Sequence, residues 1–251
     1  GSERHWEDLG VVIEGAKAKQ LCEYYDAFQI LASDGRARLR DVRRLIARWR
    51  GDTGALQWTF GGPAVRLSPW ALKLKRDVEA GERAAIVTAY FSPGRAMVRR
   101  IGKIARRGEL TLMLAGKSDS MTTIRASRLF YKYFARRRAD IFEYQARCLH
   151  MKMLVIDDIS YVGSANLDLR SLYLNLEIML RIESAEIADH LRTLVEGMKA
   201  EATPQTRQQI SQDRGPFSVL LYGLSYMLVG VIDYSVTRAF GFPFRRSSDG
   251  R

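Results

Sequence analysis

Two cysteines in 251 residues, Cys22 and Cys148, are too few for a disulfide framework, and there is no Cys-x-x-Cys, so a reducing compartment is expected. Histidine is almost as scarce, with His5, His150 and His190 the full set. His5 has no lysine two residues on, and His190 falls within a helical pattern, so both read as structural or surface residues. Long hydrophobic runs are also lacking. The most apolar stretch, PFSVLLYGLSYMLVGVI (216–232), is 17 residues with serine, tyrosine and glycine interspersed. That is at or below the ~20 residues needed to span a bilayer. Three readings stay open for it: a helix docked on the core, a monotopic membrane helix, or a transmembrane segment.

Acidic residues are in deficit. Forty Lys and Arg face 28 Asp and Glu, a formal charge of +12 that points to an anionic partner, either lipid or nucleic acid. Hydrophobic residues at 47% and charged residues at 27% describe a globular chain with enough length to bury a core. The charge concentrates at 36–50, RARLRDVRRLIARWR, with seven arginines and one aspartate. Leu39, Val42, Ile46 and Trp49 recur there at helical spacing, which predicts an amphipathic helix with a basic outer face. It is either a solvated face packed on the domain or an interfacial helix on anionic lipid.

What the chain does have is His150-Met151-Lys152 followed by Asp157 and then Gly163-Ser164-Ala165-Asn166, an H-x-K-x4-D and G-S-x-N pair. A strand sends alternate side chains to one face, so His150 and Lys152 should converge, with Asp157 facing away in a structural role. An imidazole beside a fixed cation suits attack on a phosphodiester. The ring is nucleophile or proton carrier, and the ammonium neutralises phosphoryl oxygens. Ser164 and Asn166 would add hydrogen bonds to the same oxygens. Nothing in this constellation asks for a metal or other cofactor.

Arg170-Ser171 and Asn175-x-Glu177 complete a 28-residue window from His150. With them the chain resembles the phospholipase D superfamily, and the run GSANLDLRSLYLNLE most resembles its bacterial cardiolipin synthase branch, over about residues 84–200. The resemblance implies a mixed β-sheet flanked by helices and transfer of a phosphatidyl group, usually from phosphatidylglycerol, through a phosphohistidine. It implies that Lys152, Ser164 and Asn166 bind the phosphoryl group, that Glu177 orients the catalytic imidazole with Asn175 beside it, and that Gly163 shapes the turn. It draws Lys117 and Asp119, in the loop after a strand at 109–115, into possible substrate contact. It also implies a bacterial inner-membrane setting, peripheral or monotopic, on the cytoplasmic side.

From residue 84 the pattern alternates: strand 84–91, helix to 107, strand 109–115, helix 121–138, strand 140–144, the motif strand, strand 161–164, strand 175–182 and helix 185–200. This is the grammar of an α/β/α sandwich. Residues 11–28 look like a strand running into a helix, and they match 180–197 at an offset of 169, with Ile13, Glu14 and Ala16 on Ile182, Glu183 and Ala185. That offset places a matching histidine at position −19 of this numbering, and Trp6-Glu7-Asp8 resembles the W-x-D segment that follows a first motif in two-motif relatives. The expected organisation is therefore a tail of a first phospholipase D-like domain (1–31), a basic helical linker (32–80), a second such domain (81–201) and an apolar and basic C-terminal segment (202–251).

The resemblance implies two histidines across a pseudo-twofold axis, so the partner would be an N-terminal half or a second copy of the chain. A cardiolipin synthase-like phosphatidyltransferase is the leading expectation, with His150 as general acid and base. A phospholipase D, phosphodiesterase or nuclease acting as a dimer is the alternative, although nucleic acid is the less favoured ligand. A non-enzymatic lipid-surface module is the third.

Overall fold

The computed structural model describes residues 5–35, 38–49, 51–63, 67–118, 120–212 and 215–232. Its centre is an eight-stranded sheet in the spatial order Ala202–Pro204, Asp140–Tyr144, Glu109–Ala115, Arg83–Thr88, Lys152–Ile156, Ile159–Gly163, Ile178–Glu183, Leu56–Phe60. The strands at 83, 109 and 140 run parallel and all the other pairs are antiparallel, so the sheet is mixed.

Alternation along the central strands sends side chains to two cores. Ile86, Leu112 and Leu154 face one side, where Trp70 and Leu74 of the helix Pro69–Ala80, Ile101 and Ile104 of Arg95–Arg107 and Phe134 of Tyr131–Ala135 cover them. Val87, Met113 and Val155 face the other, under Leu191 and Val195 of Ala185–Lys199. Helices on both faces of a sheet whose central strands are largely apolar make an α/β/α sandwich. A third cluster caps the far edge, where Tyr24 of helix Ala16–Ser33 stacks on Phe60 at 3.8 Å between ring centroids. Val42 and Ile46 of helix Leu39–Arg48 close that cluster.

Several sequence expectations are corrected. Residues 32–80 are not a linker: the strand Leu56–Phe60 pairs along Ile178–Ile182, and Trp70 and Leu74 of the following helix are fully buried. A boundary at 81 would cut through the sheet and its core. Residues 9–13 form no ladder, and Val12 is 90% exposed. The pairing in this region belongs to Trp6–Glu7, parallel to Cys148–Leu149. The strand expected at 84–91 ends at Thr88, and after a break Phe91–Ser92 pairs with Leu167–Asp168. The helix expected at 121–138 divides into Met121–Arg128 and Tyr131–Ala135, a turn that brings Phe130 and Phe134 edge-on to Phe91.

The apolar 216–232 segment begins as an α-helix, Pro216–Tyr226, and continues as a π-helix, Met227–Ile232. It docks by one face, burying Tyr222 and Ser225. Among the described residues no helix is long and apolar enough to cross a membrane.

Candidate active site

The motif does not sit on one continuous strand. Cys148–Leu149 and Lys152–Ile156 are separate, and the gap is held by the Glu7 carbonyl, which accepts from the amides of His150 (2.8 Å) and Met151 (2.9 Å). The gap turns His150 outward to an exposed position while Lys152 stays buried, and the Lys152 ammonium donates to the His150 carbonyl. Simple alternation therefore does not place the pair. Even so, both line one cleft of about 600 Å³, together with Asp8, Gly163, Ser164, Asn166, Asn175 and Glu177.

The carboxylate on the imidazole is Asp8. Its Oδ2 lies 2.7 Å from Nδ1 of His150, and the Trp6 ring meets the imidazole edge-on at 5.1 Å between centroids. Burial pulls the Asp8 carboxyl upward. The bond to His150, the Leu9 amide and the charges of His150 and Lys152 outweigh it, and the net effect is a lowered pKa. An ionised Asp8 fixes Nδ1 as the protonated nitrogen and leaves Nε2 for chemistry.

Glu177, expected to orient His150, is committed elsewhere. It accepts from the Ser164 hydroxyl at 2.5 Å, the Ser171 hydroxyl at 2.8 Å and the Asn175 amide at 3.2 Å. The Ser164 hydroxyl in turn accepts from the Ile178 amide, so this side chain clamps a carboxylate within the structure. Asn166 uses its carboxamide oxygen to accept from the Thr88 hydroxyl and the Tyr90 amide, both at 3.3 Å, which leaves its NH2 for a ligand. The Lys152 pKa is lowered by burial, against the pull of Asp8 and Glu177. The ammonium thus stands largely desolvated in the cleft that the imidazole also lines, where its charge acts most strongly on an incoming anion.

Gly163 is required by close approach: a Cβ there would stand 2.1 Å from the Ile178 carbonyl oxygen. Asp157 takes a left-handed conformation (φ 46°) in the two-residue hairpin turn and accepts from the Glu82 and Arg83 amides, far from the cleft chemistry. Lys117 is exposed in the loop after Glu109–Ala115 and does not line the cleft, and Asp119 lies outside the described residues. Phe91, at the end of the strand expected at 84–91, is 1% exposed in the core and does not line the cleft. Among the described residues no group of three or more His, Cys, Asp or Glu is placed to hold a metal ion.

Sequence reasoning placed Asp8 and Ser171 in motif segments without giving either a role in the site, and it did not single out Thr88. A signal for Asp8 existed: the 169-residue offset that relates 11–28 to 180–197 carries Glu177 onto position 8.

An oriented imidazole, a desolvated ammonium and a carboxamide NH2 in one cleft suit displacement at a phosphodiester. Comparison with known proteins agrees. The family described as "Cardiolipin synthase, PLD-like domain" matches residues 78–199. Residues 78–199 are thus similar to the phospholipase D-like domain of cardiolipin synthases. Cardiolipin synthase B of Escherichia coli K12 is 34% identical over 143 residues, covering 56% of this chain and 35% of that protein. Cardiolipin synthase A of Pseudomonas aeruginosa LESB58 is 32% identical over 164 residues, covering 62% of this chain and 34% of its own. The chain thus spans about a third of the length of these curated relatives. Among solved structures, the phosphatidylserine synthase of Haemophilus influenzae Rd KW20 aligns with a TM-score of 0.54 at 14% identity, over 73% of this chain and 47% of that one, a likeness of fold.

Proposed function

We propose that this phospholipase D-like domain supplies one half of a phosphatidyl-transfer site that joins two anionic phospholipids, with phosphatidylglycerol as donor and acceptor and cardiolipin and glycerol as products. The observation that carries the reading is the His150–Asp8 pair opening on a cleft that also holds Lys152 and Asn166.

In the first step a histidine nitrogen attacks phosphorus, a P–N bond forms, and the P–O bond to glycerol breaks. His150, with Nδ1–H on Asp8, gives its Nε2 proton to the departing alkoxide. In the second step Nε2 takes the proton of the acceptor hydroxyl as that oxygen attacks the phosphohistidine and the P–N bond breaks. Lys152 and the Asn166 NH2 bear the charge that builds on the phosphoryl oxygens. Splitting the displacement in two suits a transferase, because the intermediate persists until an acceptor arrives.

The nucleophile is a second histidine, supplied from an upstream half or from another copy of the chain. Glu177, ringed by Ser164, Ser171 and Asn175 on the same cleft, is a carboxylate of the kind such a histidine would need.

The test is an assay with radiolabelled phosphatidylglycerol on the purified chain, with and without an upstream half added in trans. Cardiolipin formed only with the added half, and lost on His150→Ala, is the expected result. Cardiolipin formed by the chain alone would assign the second histidine to a second copy. Release of phosphatidic acid, or cleavage of nucleic acid in place of transfer, would overturn the reading.

A further inference from the structure

The Pro216–Tyr226 helix and its π-helical continuation contain no charged residue over 216–232. One face is pinned. The Tyr226 ring meets Phe130 edge-on at 5.3 Å, and its hydroxyl donates to the Pro93 carbonyl at 3.5 Å. Tyr222, 5% exposed, joins a buried network in which Arg128 makes two 2.8 Å bonds to Glu143 and Tyr131 donates to the same carboxylate. The opposite face is bare: Phe217 is 76% exposed, Leu220 60%, Leu224 53%, Met227 48% and Leu228 55%. These side chains recur every three or four residues and form one stripe. Large apolar side chains gathered on a single face mark a binding surface.

The charge around the stripe indicates what covers it. Arg95 is near enough to Tyr226 to act on its hydroxyl electrostatically. From there the Arg95–Arg107 helix presents Arg95, Arg99, Lys103 and Arg106 to solvent at helical spacing, with no acidic residue in the helix. Arg100, on its flank, is paired with Glu79. Pro93, which Tyr226 touches, follows the Phe91–Ser92 strand, and that strand pairs with Leu167–Asp168 directly after Asn166 of the cleft. The helix is therefore tied through Pro93 and the Phe91–Ser92 strand to the segment that carries Asn166. A second copy seated on the stripe would bring the same arginines face to face, an unfavourable match for a chain of charge +12. The basic 39–48 helix offers no such surface, because its apolar residues Val42 and Ile46 are already buried against Tyr24 and Phe60.

We propose that the outer face of the 216–228 helix is an interfacial lipid-binding face. Phe217, Leu220, Leu224, Met227 and Leu228 enter the headgroup–acyl boundary of an anionic bilayer, and Arg95, Arg99 and Arg106 hold lipid phosphates. The helix lies in the plane of the membrane and seats the cleft at the surface where its lipids are. The purpose of the seat rests on the phosphatidyl-transfer reading, but its existence is measured without turnover.

The experiment is flotation of the chain with vesicles of phosphatidylcholine alone or mixed with phosphatidylglycerol. Wild type should float with the mixed vesicles and less so as salt rises. The Leu220→Glu, Leu224→Glu pair should bind roughly 10-fold or more weakly at unchanged Tm, since both side chains already face water. Arg95→Glu with Arg99→Glu should abolish the preference for phosphatidylglycerol. A Leu224→Trp variant reports position independently, because brominated lipid should quench its added fluorescence. Absence of wild-type flotation, or flotation of the double-glutamate variant at wild-type strength, would overturn the proposal. So would conversion of a dimer to a monomer by the glutamates with no change in vesicle binding, which would assign the stripe to a second copy. A chain that floats through this face yet makes no cardiolipin leaves the seat standing and removes the catalytic reading alone.

Discussion

Nδ1 of His150 and a carboxylate oxygen of Asp8 stand 2.7 Å apart although 142 residues separate them in the chain. The short parallel pairing of Trp6–Glu7 with Cys148–Leu149 brings them together, and the Glu7 carbonyl, on two amides, holds the histidine loop in place. Position 8 is also where the internal offset sends Glu177. Two carboxylates in related positions thus take different roles. Asp8 holds the imidazole of the following motif, while Glu177 stays held by Ser164, Ser171 and Asn175.

Asp8→Asn and Glu177→Gln should therefore separate. Asn at 8 keeps a hydrogen-bonding group near Nδ1 but removes the charge that selects the tautomer, and transfer should fall by roughly 10²–10⁴ in kcat with little change in KM. Nitrogen-resolved NMR of the His150 ring should show a changed tautomer pattern in Asp8→Asn and the wild-type pattern in Glu177→Gln. If Glu177→Gln alters the ring and Asp8→Asn does not, the assignment of the orienting carboxylate is wrong.

The contrast shows which parts of the molecule were legible in its sequence. Strand 109–115 and the 185–199 helix follow from local pattern, because each is a long apolar or periodic run bounded by residues that end it, such as Gly108, Gly116 and Ser184. The strand Leu56–Phe60 was not legible. It is five residues long, and its place is decided by a ladder to Ile178–Ile182 more than a hundred residues away. In the site, the types and spacing of His150, Lys152 and Asn166 mark the chemistry, but the role of Asp8 against His150 becomes visible only once the two halves of the offset are compared.

Asp168 sets up a pH dependence. It caps the Leu169–Tyr173 helix by accepting from the Ser171 amide at 2.8 Å. Burial, with the Glu177 charge adding to it, raises its pKa to about 6 from 3.8 against the Ser171 and Arg170 amides and the Arg170 charge. With the folded value above the unfolded one, the two states bind equal protons below pH 4. Between about 4 and 6 the unfolded chain ionises first, and the fold loses stability. Asp168→Asn removes that loss and keeps an acceptor for the cap. Its Tm should match wild type near pH 4 and exceed it increasingly up to about pH 6, with a constant gap above. A gap that shrinks as pH rises would refute the assignment.

Gly163 and Gly197 make a paired test of whether the turn before Ser164 is set by crowding. At Gly163 a Cβ would meet the Ile178 carbonyl oxygen at 2.1 Å and Met179 Cα at 2.9 Å, both backbone atoms in the adjoining strand that have little room to yield. Gly197, exposed in the last turns of Ala185–Lys199, has nothing within 4 Å of the same added atom. Gly197→Ala should stabilise by about 0.5–1 kcal/mol through helix propensity alone. Gly163→Ala should cost about 1–3 kcal/mol, because the strand pair must part to admit the methyl. That displacement would move Ser164, whose amide donates to Ile178 and whose hydroxyl holds Glu177, so activity should fall further than stability. Chemical denaturation and a turnover assay well below the unfolding transition measure the two effects separately. Full turnover in a destabilised Gly163→Ala would show that the Ser164–Glu177 clamp tolerates the shift and that its geometry does not limit the reaction.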